Sequence, residues 1–231
     1  MERNALHRPG RRSRRSLWLG LAVAQAAVLV IVVLLLLNRA MADPDVGPSV
    51  SYEGTALNRL AADFRLQDQH GRIMALSDFA GQIAVLSFLD PRCTDVCPLL
   101  ALTFQELVAA LGPAAARVTI LAVNTNPGAR SVAAMATATA QWQMDRLANW
   151  HFLTGEPADL QAIWDEYGIS AGAAKPGKRG EVQHTDGVYL IDQAGRIRWY
   201  ISIPLTDPGW DGPPLSELVV LKIRRLLEVQ R

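Results

Sequence analysis

Apolar and polar positions divide the chain into three zones. The first, Leu17 to Leu37, runs 21 residues without a charge, and Gln25 is its only clearly polar side chain. A helix of that length spans roughly 31 Å, about the hydrocarbon thickness of a bilayer. Residues 38–58 contain Asp43-Pro44-Asp45 and Gly47-Pro48-Ser49 without sustained periodicity, which predicts a tether. From 59 to 231 the pattern alternates between short apolar runs and helical spacing. Phe64-Arg65-Leu66 and Ile73 to Leu76 flank Asp68-Gln69-His70-Gly71, a predicted hairpin. Ile83 to Leu89 and Val118 to Val123 are continuous branched runs, as in strands buried on both faces. Helical spacing marks Pro98 to Leu111, stopped by Gly112-Pro113, and Val132 to Leu147. A short strand, Trp150 to Leu153, precedes a helix from Pro157 to Tyr167 that Gly168 ends. Val188 to Asp192 and Arg196 to Ile203 pair across Gln193-Ala194-Gly195, and Leu215 to Val229 closes the chain as an amphipathic helix. Strands alternating with helices predict an α/β domain, a mixed sheet with helices on both faces.

Charge changes the picture at the amino terminus. Residues 1–43 hold 7 of the 23 basic side chains and 2 of the 22 acidic ones, which leaves 16 basic against 20 acidic in the remainder. That balance excludes a basic nucleic-acid-binding face. The arginines of the 1–16 tail are retained on the cytoplasmic side. A single-pass anchor over 17–37 is therefore expected, with the domain outside, periplasmic in a bacterial cell membrane. A cleaved signal peptide ending at Ala40-Met41-Ala42 is the alternative, although its apolar region would exceed the usual 7–15 residues. Arg14-Arg15 is a weak match to a twin-arginine signal. No second stretch is expected to span, so a polytopic protein is excluded.

The chain has two cysteines, too few for a disulfide scaffold, and they stand four residues apart as Cys93-Thr94-Asp95-Val96-Cys97-Pro98. They fall between the first buried strand and the first long helix, in an element order that is thioredoxin-like. Free N–H groups at a helix start stabilise thiolates, which serves both metal binding and disulfide exchange. A structural disulfide here would close a very short loop and constrain the unfolded chain little. Asp95 either orients the loop and its charge or simply caps a turn. Arg92 either stabilises thiolates or is solvated.

Of four histidines, His7 lies in the tail, His70 in a surface turn and His151 in an apolar strand beside Trp150. His184 differs, because it follows a glycine- and lysine-rich loop and directly precedes the hairpin strand. In the expected fold that strand begins beside the cysteine loop. Two thiolates and an imidazole suit a soft ion such as copper, whereas zinc prefers a fourth ligand that is not evident. Spacing alone leaves His184 as ligand or ordinary loop histidine.

Two segments carry a family resemblance over about residues 60–230. Cys93 to Pro98 fits C-[PT]-D-V-C-P, and His184-Thr185-Asp186-Gly187-Val188-Tyr189-Leu190-Ile191-Asp192 with Gly195-Arg196 is similar to H-[ST]-x-x-[IV]-Y-L-I-D-x-x-G-R. Both resemble the Sco/SenC family of membrane-anchored, thioredoxin-like copper proteins. The resemblance implies Cys93, Cys97 and His184 as metal ligands and copper as the ion. It also implies delivery of copper to the dinuclear site on the copper-bearing subunit of cytochrome c oxidase, or reduction of that site's cysteines. Two segments depart from the pattern: Leu89-Asp90-Pro91-Arg92, and Asn124 to Arg130 in place of D-P-x-R-D-x-P. A metallochaperone is thus expected first. A thiol–disulfide oxidoreductase using Cys93 and Cys97 is the alternative. Thr94 with Cys97-Pro98 also resembles the end of a peroxiredoxin motif, a third reading that leaves His184 without a role.

Overall fold

A computed structural model of the chain describes residues 25–26, 28–33, 54–178, 180–202 and 212–228. The chain divides into two units, Met1–Ser51 and Tyr52–Arg231. In the first, the described residues are helical. The rest of the expected anchor, the basic tail, most of the tether and Trp210 lie outside the described residues.

The second unit has ten strands and four α-helices among its described residues: β1 Thr55–Leu60, β2 Arg65–Gln67, β3 Ile73–Ala75, β4 Ile83–Leu89, α1 Val96–Leu111, β5 Val118–Asn124, α2 Val132–Gln141, β6 Trp150–Leu153, α3 Pro157–Tyr167, β7 Ala173–Ala174, β8 Val182–Gln183, β9 Val188–Ile191, β10 Arg196–Ile201 and α4 Leu215–Glu228. Six strands form one sheet in the order β1-β10-β9-β4-β5-β6. β4, β5 and β6 are parallel; β9 joins β4 antiparallel, and β10 and β1 continue antiparallel. The expected α/β, thioredoxin-like mixed sheet is the fold observed.

Alternation along the buried strands sorts side chains to two cores. Val85, Leu89, Ile120, Ala122, Trp150 and Phe152 meet Leu100, Phe104 and Leu107 of α1 and Val219 and Ile223 of α4. Leu86, Phe88, Leu121, Val123, Tyr189 and Ile191 meet Leu160, Trp164 and Tyr167 of α3 on the other face. β4 and β5 are buried at every position, which explains why they read as unbroken apolar runs.

Four expectations need correction. Residues 55–58, read as tether, belong to β1, an edge strand held by backbone pairing to β10. Nearly all its side chains are exposed, so it lacks an apolar alternation to read. α2 ends at Gln141 rather than Leu147, because Gln143 turns left-handed (φ 57°) before a 3-10 turn over Met144–Arg146. Met144 and Leu147 still reach the core, which is why helical spacing continues past the helix. α1 begins at Val96 rather than Pro98. Proline fits the first turn because N–H groups there have no intrahelical acceptor to lose. Finally, Val96–Arg117 also has the length and apolarity of a span. Its apolarity belongs to the core, since Cys97, Leu100, Ala101, Phe104, Leu107 and Leu111 are all buried.

Candidate metal centre

The cysteines sit where β4 hands over to α1. Asp90 ends the buried run, and its carbonyl accepts from Cys93 N–H at 3.0 Å, tightening the turn. Asp95 then stands at the N-cap of α1 and accepts from Val96 N–H at 2.8 Å. Because α1 begins at Val96, the Cys97 N–H is one of its free first-turn donors, and it points to Cys93 Sγ at 3.3 Å. Cys97 itself is fully buried, whereas Cys93 keeps an edge exposed. Both are free thiols.

His184 arrives from the other side of the sheet's carboxyl end. Its segment is fixed at Thr185, whose N–H donates to Ser170 O at 2.9 Å and whose hydroxyl accepts from Ser170 N–H at 3.0 Å. Tyr200 hydroxyl donates to Asp186 O at 2.5 Å. The Tyr200 ring lies so close to Gly187 (φ 145°) that a Cβ there would stand 2.6 Å from it, so only glycine fits. These contacts bring His184 Nε2 to 3.7 Å from Cys97 Sγ. His184 Nδ1 faces Thr185 O at 3.2 Å and Asp186 Oδ1 at 3.4 Å. Such a partner for one ring nitrogen fixes the tautomer and turns the other lone pair toward the sulfurs, as in metal-binding histidines.

Electrostatics separate the two thiols. Contact with Cys97, opposed by burial and aided by His184 and the Cys97 and Asp95 N–H groups, holds the Cys93 thiol down to about 5. Burial, with the neighbouring Cys93, pushes Cys97 well up. Burial opposes charge on His184, yet its contact with Cys93, Asp186 and the Thr185 carbonyl keeps it above the ordinary histidine value. The two cysteines are thus pushed in opposite directions, Cys93 toward the thiolate and Cys97 toward the buried thiol, with the His184 ring beside them. Two sulfurs and an imidazole nitrogen are a donor set that fits copper.

A second layer was not legible in the sequence. Lys175 Nζ is 2.6 Å from Asp95 Oδ2 and 3.8 Å from Glu181 Oε2. Thr94 hydroxyl donates to Glu181 Oε1 at 2.8 Å and accepts from Lys178 at 2.9 Å. Ligand atoms of Cys93, Asp95 and Glu181 lie within 4.8 Å of one another, and Glu181 is buried. Lysines in a glycine-rich loop read as solvated, and nothing in their spacing marks them as partners of a segment 80 residues earlier. Asp95 does both things open to it, capping the helix and facing Cys93 Sγ at 3.2 Å. Arg92 instead donates to Gly128 O at 3.0 Å. The peroxidase reading fares poorly, because Thr94 is engaged with Glu181 and Cys97 is buried with a raised thiol pKa.

Of the other histidines, His7 lies outside the described residues and His70 is exposed in its turn. His151, expected as a satisfied core or rim histidine, is buried beside Asp68, but its Nδ1 lacks a hydrogen-bond partner among the described residues. Trp142, Trp150 and Trp164 are core, and Trp199 packs at its rim.

Comparison with known proteins follows the same lines. The SCO1/SenC family model matches residues 53–207, more than half of the chain. The mitochondrial SCO2 homolog of Bos taurus is 29% identical over 144 residues, which are 61% of this chain and 53% of the relative. The chain thus spans about half the length of that relative. Among solved structures, Bradyrhizobium japonicum ScoI with copper bound matches at TM-score 0.59 and 21% identity, covering 72% of this chain and 99% of that one. A SCO1/SenC family lipoprotein from Bacillus anthracis matches at TM-score 0.61 and 23% identity, covering 75% and 98%. At these identities the structural likeness is one of fold. With a family model spanning both the cysteine loop and the histidine segment, the chain belongs to the SCO1/SenC family.

Proposed function

We propose that this protein carries copper on Cys93, Cys97 and His184 and passes it to an extracytoplasmic copper protein, in the first place the copper-bearing subunit of cytochrome c oxidase. The observation that carries this reading is His184 Nε2 standing 3.7 Å from Cys97 Sγ while its Nδ1 is held by Asp186 and Thr185. A three-donor soft site favours transfer, since an incoming thiolate adds before a resident one leaves. Cys93, at the exposed edge with the lower pKa, is the ligand a partner meets first. Family membership and a relative solved with copper support the cargo. The apolar run Leu17 to Leu37 behind six arginines supports a single-pass anchor with the amino terminus inside, as do the exposed apolar side chains Val28 to Ile31.

The test is copper(I) binding by the reduced full-length chain, with and without His184→Ala. A tight one-to-one complex that weakens in the variant is expected. Equal binding by both removes His184 from the site. A second reading, thiol–disulfide exchange on a client's cysteines, draws support from one observation: the two thiols are shifted in opposite directions, one poised to attack and one buried to resolve. Client-disulfide reduction that survives His184→Ala while copper binding is absent would favour it.

A further inference from the structure

Cys93 and His184 come from segments about 90 residues apart, and the element that fixes their separation is neither of them. Asp90 is fully buried at the end of β4. Its Oδ1 accepts from Arg92 N–H at 2.9 Å and from Asn126 Nδ2 at 2.9 Å. Its Oδ2 accepts from Val182 N–H at 2.8 Å, two residues before His184. Its backbone carbonyl holds Cys93 N–H at 3.0 Å. One residue therefore grips the cysteine turn through its main chain and the histidine strand through its carboxylate.

Asn126 completes the junction. It is buried, donates from the same Nδ2 to Gly180 O at 2.8 Å, and accepts from Gly128 N–H at 2.9 Å. Arg92 closes the outer side by donating to Gly128 O at 3.0 Å. Three N–H donors from three segments converge on Asp90, and only two acceptor oxygens on a short side chain satisfy them. An amide at this place turns its own NH2 toward at least one of those donors. A donor left unmade in a buried junction is costly, so the junction opens rather than tolerating it.

We propose that Asp90 is the positioning residue of the metal centre, with Asn126 as its partner, setting the distance between the Cys93 turn and the His184 strand. The proposal rests on the ligand set given under Proposed function.

The test uses the full-length reduced protein as Asp90→Asn, with Asp68→Asn as control. Asp68 is equally buried and likewise accepts backbone N–H groups, at His70 and Arg72, but in the β2–β3 hairpin. Two quantities are read below the melting temperature of each variant: copper(I) affinity, and hydrogen exchange at the Val182 amide in metal-free protein. Asp90→Asn is expected to weaken copper about 10–100-fold, the range for lost outer partners of metal sites, and to speed Val182 exchange. Asp68→Asn is expected to change neither. Wild-type affinity in Asp90→Asn, or an equal loss in Asp68→Asn, overturns the proposal. If Asp90→Asn does not fold, Asn126→Ala takes its place with the same expectations. Should His184→Ala bind copper normally, the ligand set has failed. Val182 exchange then decides the junction alone, with unchanged exchange in Asp90→Asn overturning it.

Discussion

In two places the molecule sets a buried histidine near an anion, and the two pairs behave in opposite ways. At the β2–β3 hairpin, His151 Nδ1 lies 3.8 Å from Asp68 Oδ2. At the cysteine turn, His184 lies against Cys97 and Cys93 with Asp186 behind it. Burial lowers the pKa of His151, and the nearby Asp68 does not make up the difference. Burial opposes charge on His184 as well, yet there the thiolate and Asp186 prevail. The difference lies in who neutralises the anion. Asp68 already holds Arg72, by Nη2 at 2.6 Å and by Nε at 2.8 Å, besides accepting two backbone N–H groups. In the cysteine region the one arginine of the turn, Arg92, binds a loop carbonyl, and Lys175 is taken by Asp95. The Cys93 sulfur is left to Cys97, the helix N–H groups and the imidazole, with no side-chain cation in direct contact among the described residues.

The comparison breaks most directly at copper. His184→Ala should weaken copper(I) binding at least about 100-fold, more than the loss of an outer partner usually costs. His151→Gln should leave it unchanged. Replacing Cys93 and Cys97 together by serine should abolish binding in a competition assay against a copper(I) chelator. Equal losses in the two histidine variants would mean that both act through the fold, and the distinction drawn between them would fail.

A smaller effect is expected in the metal-free reduced protein. Cys93 is held at about 5 in the fold against 9.0 for an ordinary thiol. Between those values the unfolded chain carries the extra proton, so this contribution to stability is full above about 9 and is lost as pH falls through about 5. His184 works in the reverse sense: its contribution is full below 6.5 and fades as pH rises through its elevated folded value. His184→Ala should therefore raise the Cys93 midpoint, read from thiolate absorbance, by about one unit, equivalent to about 1.4 kcal/mol. An unmoved midpoint would show that the Cys97 contact and the helix N–H groups suffice.

How much of this could be read beforehand follows from range. The buried runs of β4 and β5, the stop at Gly168 and the hairpin at Gln193-Ala194-Gly195 are local signals, and each stands where its pattern places it. β1 escaped because an edge strand held by backbone bonds carries no apolar alternation. The cysteine spacing was conspicuous for the same local reason. The supporting layer was not, since Asp90 with Val182, Asp95 with Lys175 and Thr94 with Glu181 join residues 80 to 92 apart. The two segments that depart from the family pattern, Leu89 to Arg92 and Asn124 to Arg130, prove to face one another through Asp90 and Asn126. Two separate anomalies in the chain become one junction in the fold.

The finest test converts one histidine environment toward the other. Arg72→Met removes the side-chain cation from Asp68 while leaving the backbone donors at His70 and Arg72 in place. The Asp68 carboxylate would then present its charge to His151 Nδ1, a buried nitrogen with no hydrogen-bond partner among the described residues. His151 should rise by about one unit, the lower end of what an opposite charge at this range produces. In the wild type its lowered pKa gives stability that is present above 6.5 and lost on acidification through the folded value. If the rise carries His151 past 6.5, the sign reverses, and the contribution becomes full in acid and fades as pH climbs. Proton NMR of the His151 ring across pH, in wild type and Arg72→Met, reads the shift directly. A His151 that stays low without Arg72 would mean that burial alone silences it, and the contrast with His184 would then lie in thiolate chemistry rather than in the missing arginine.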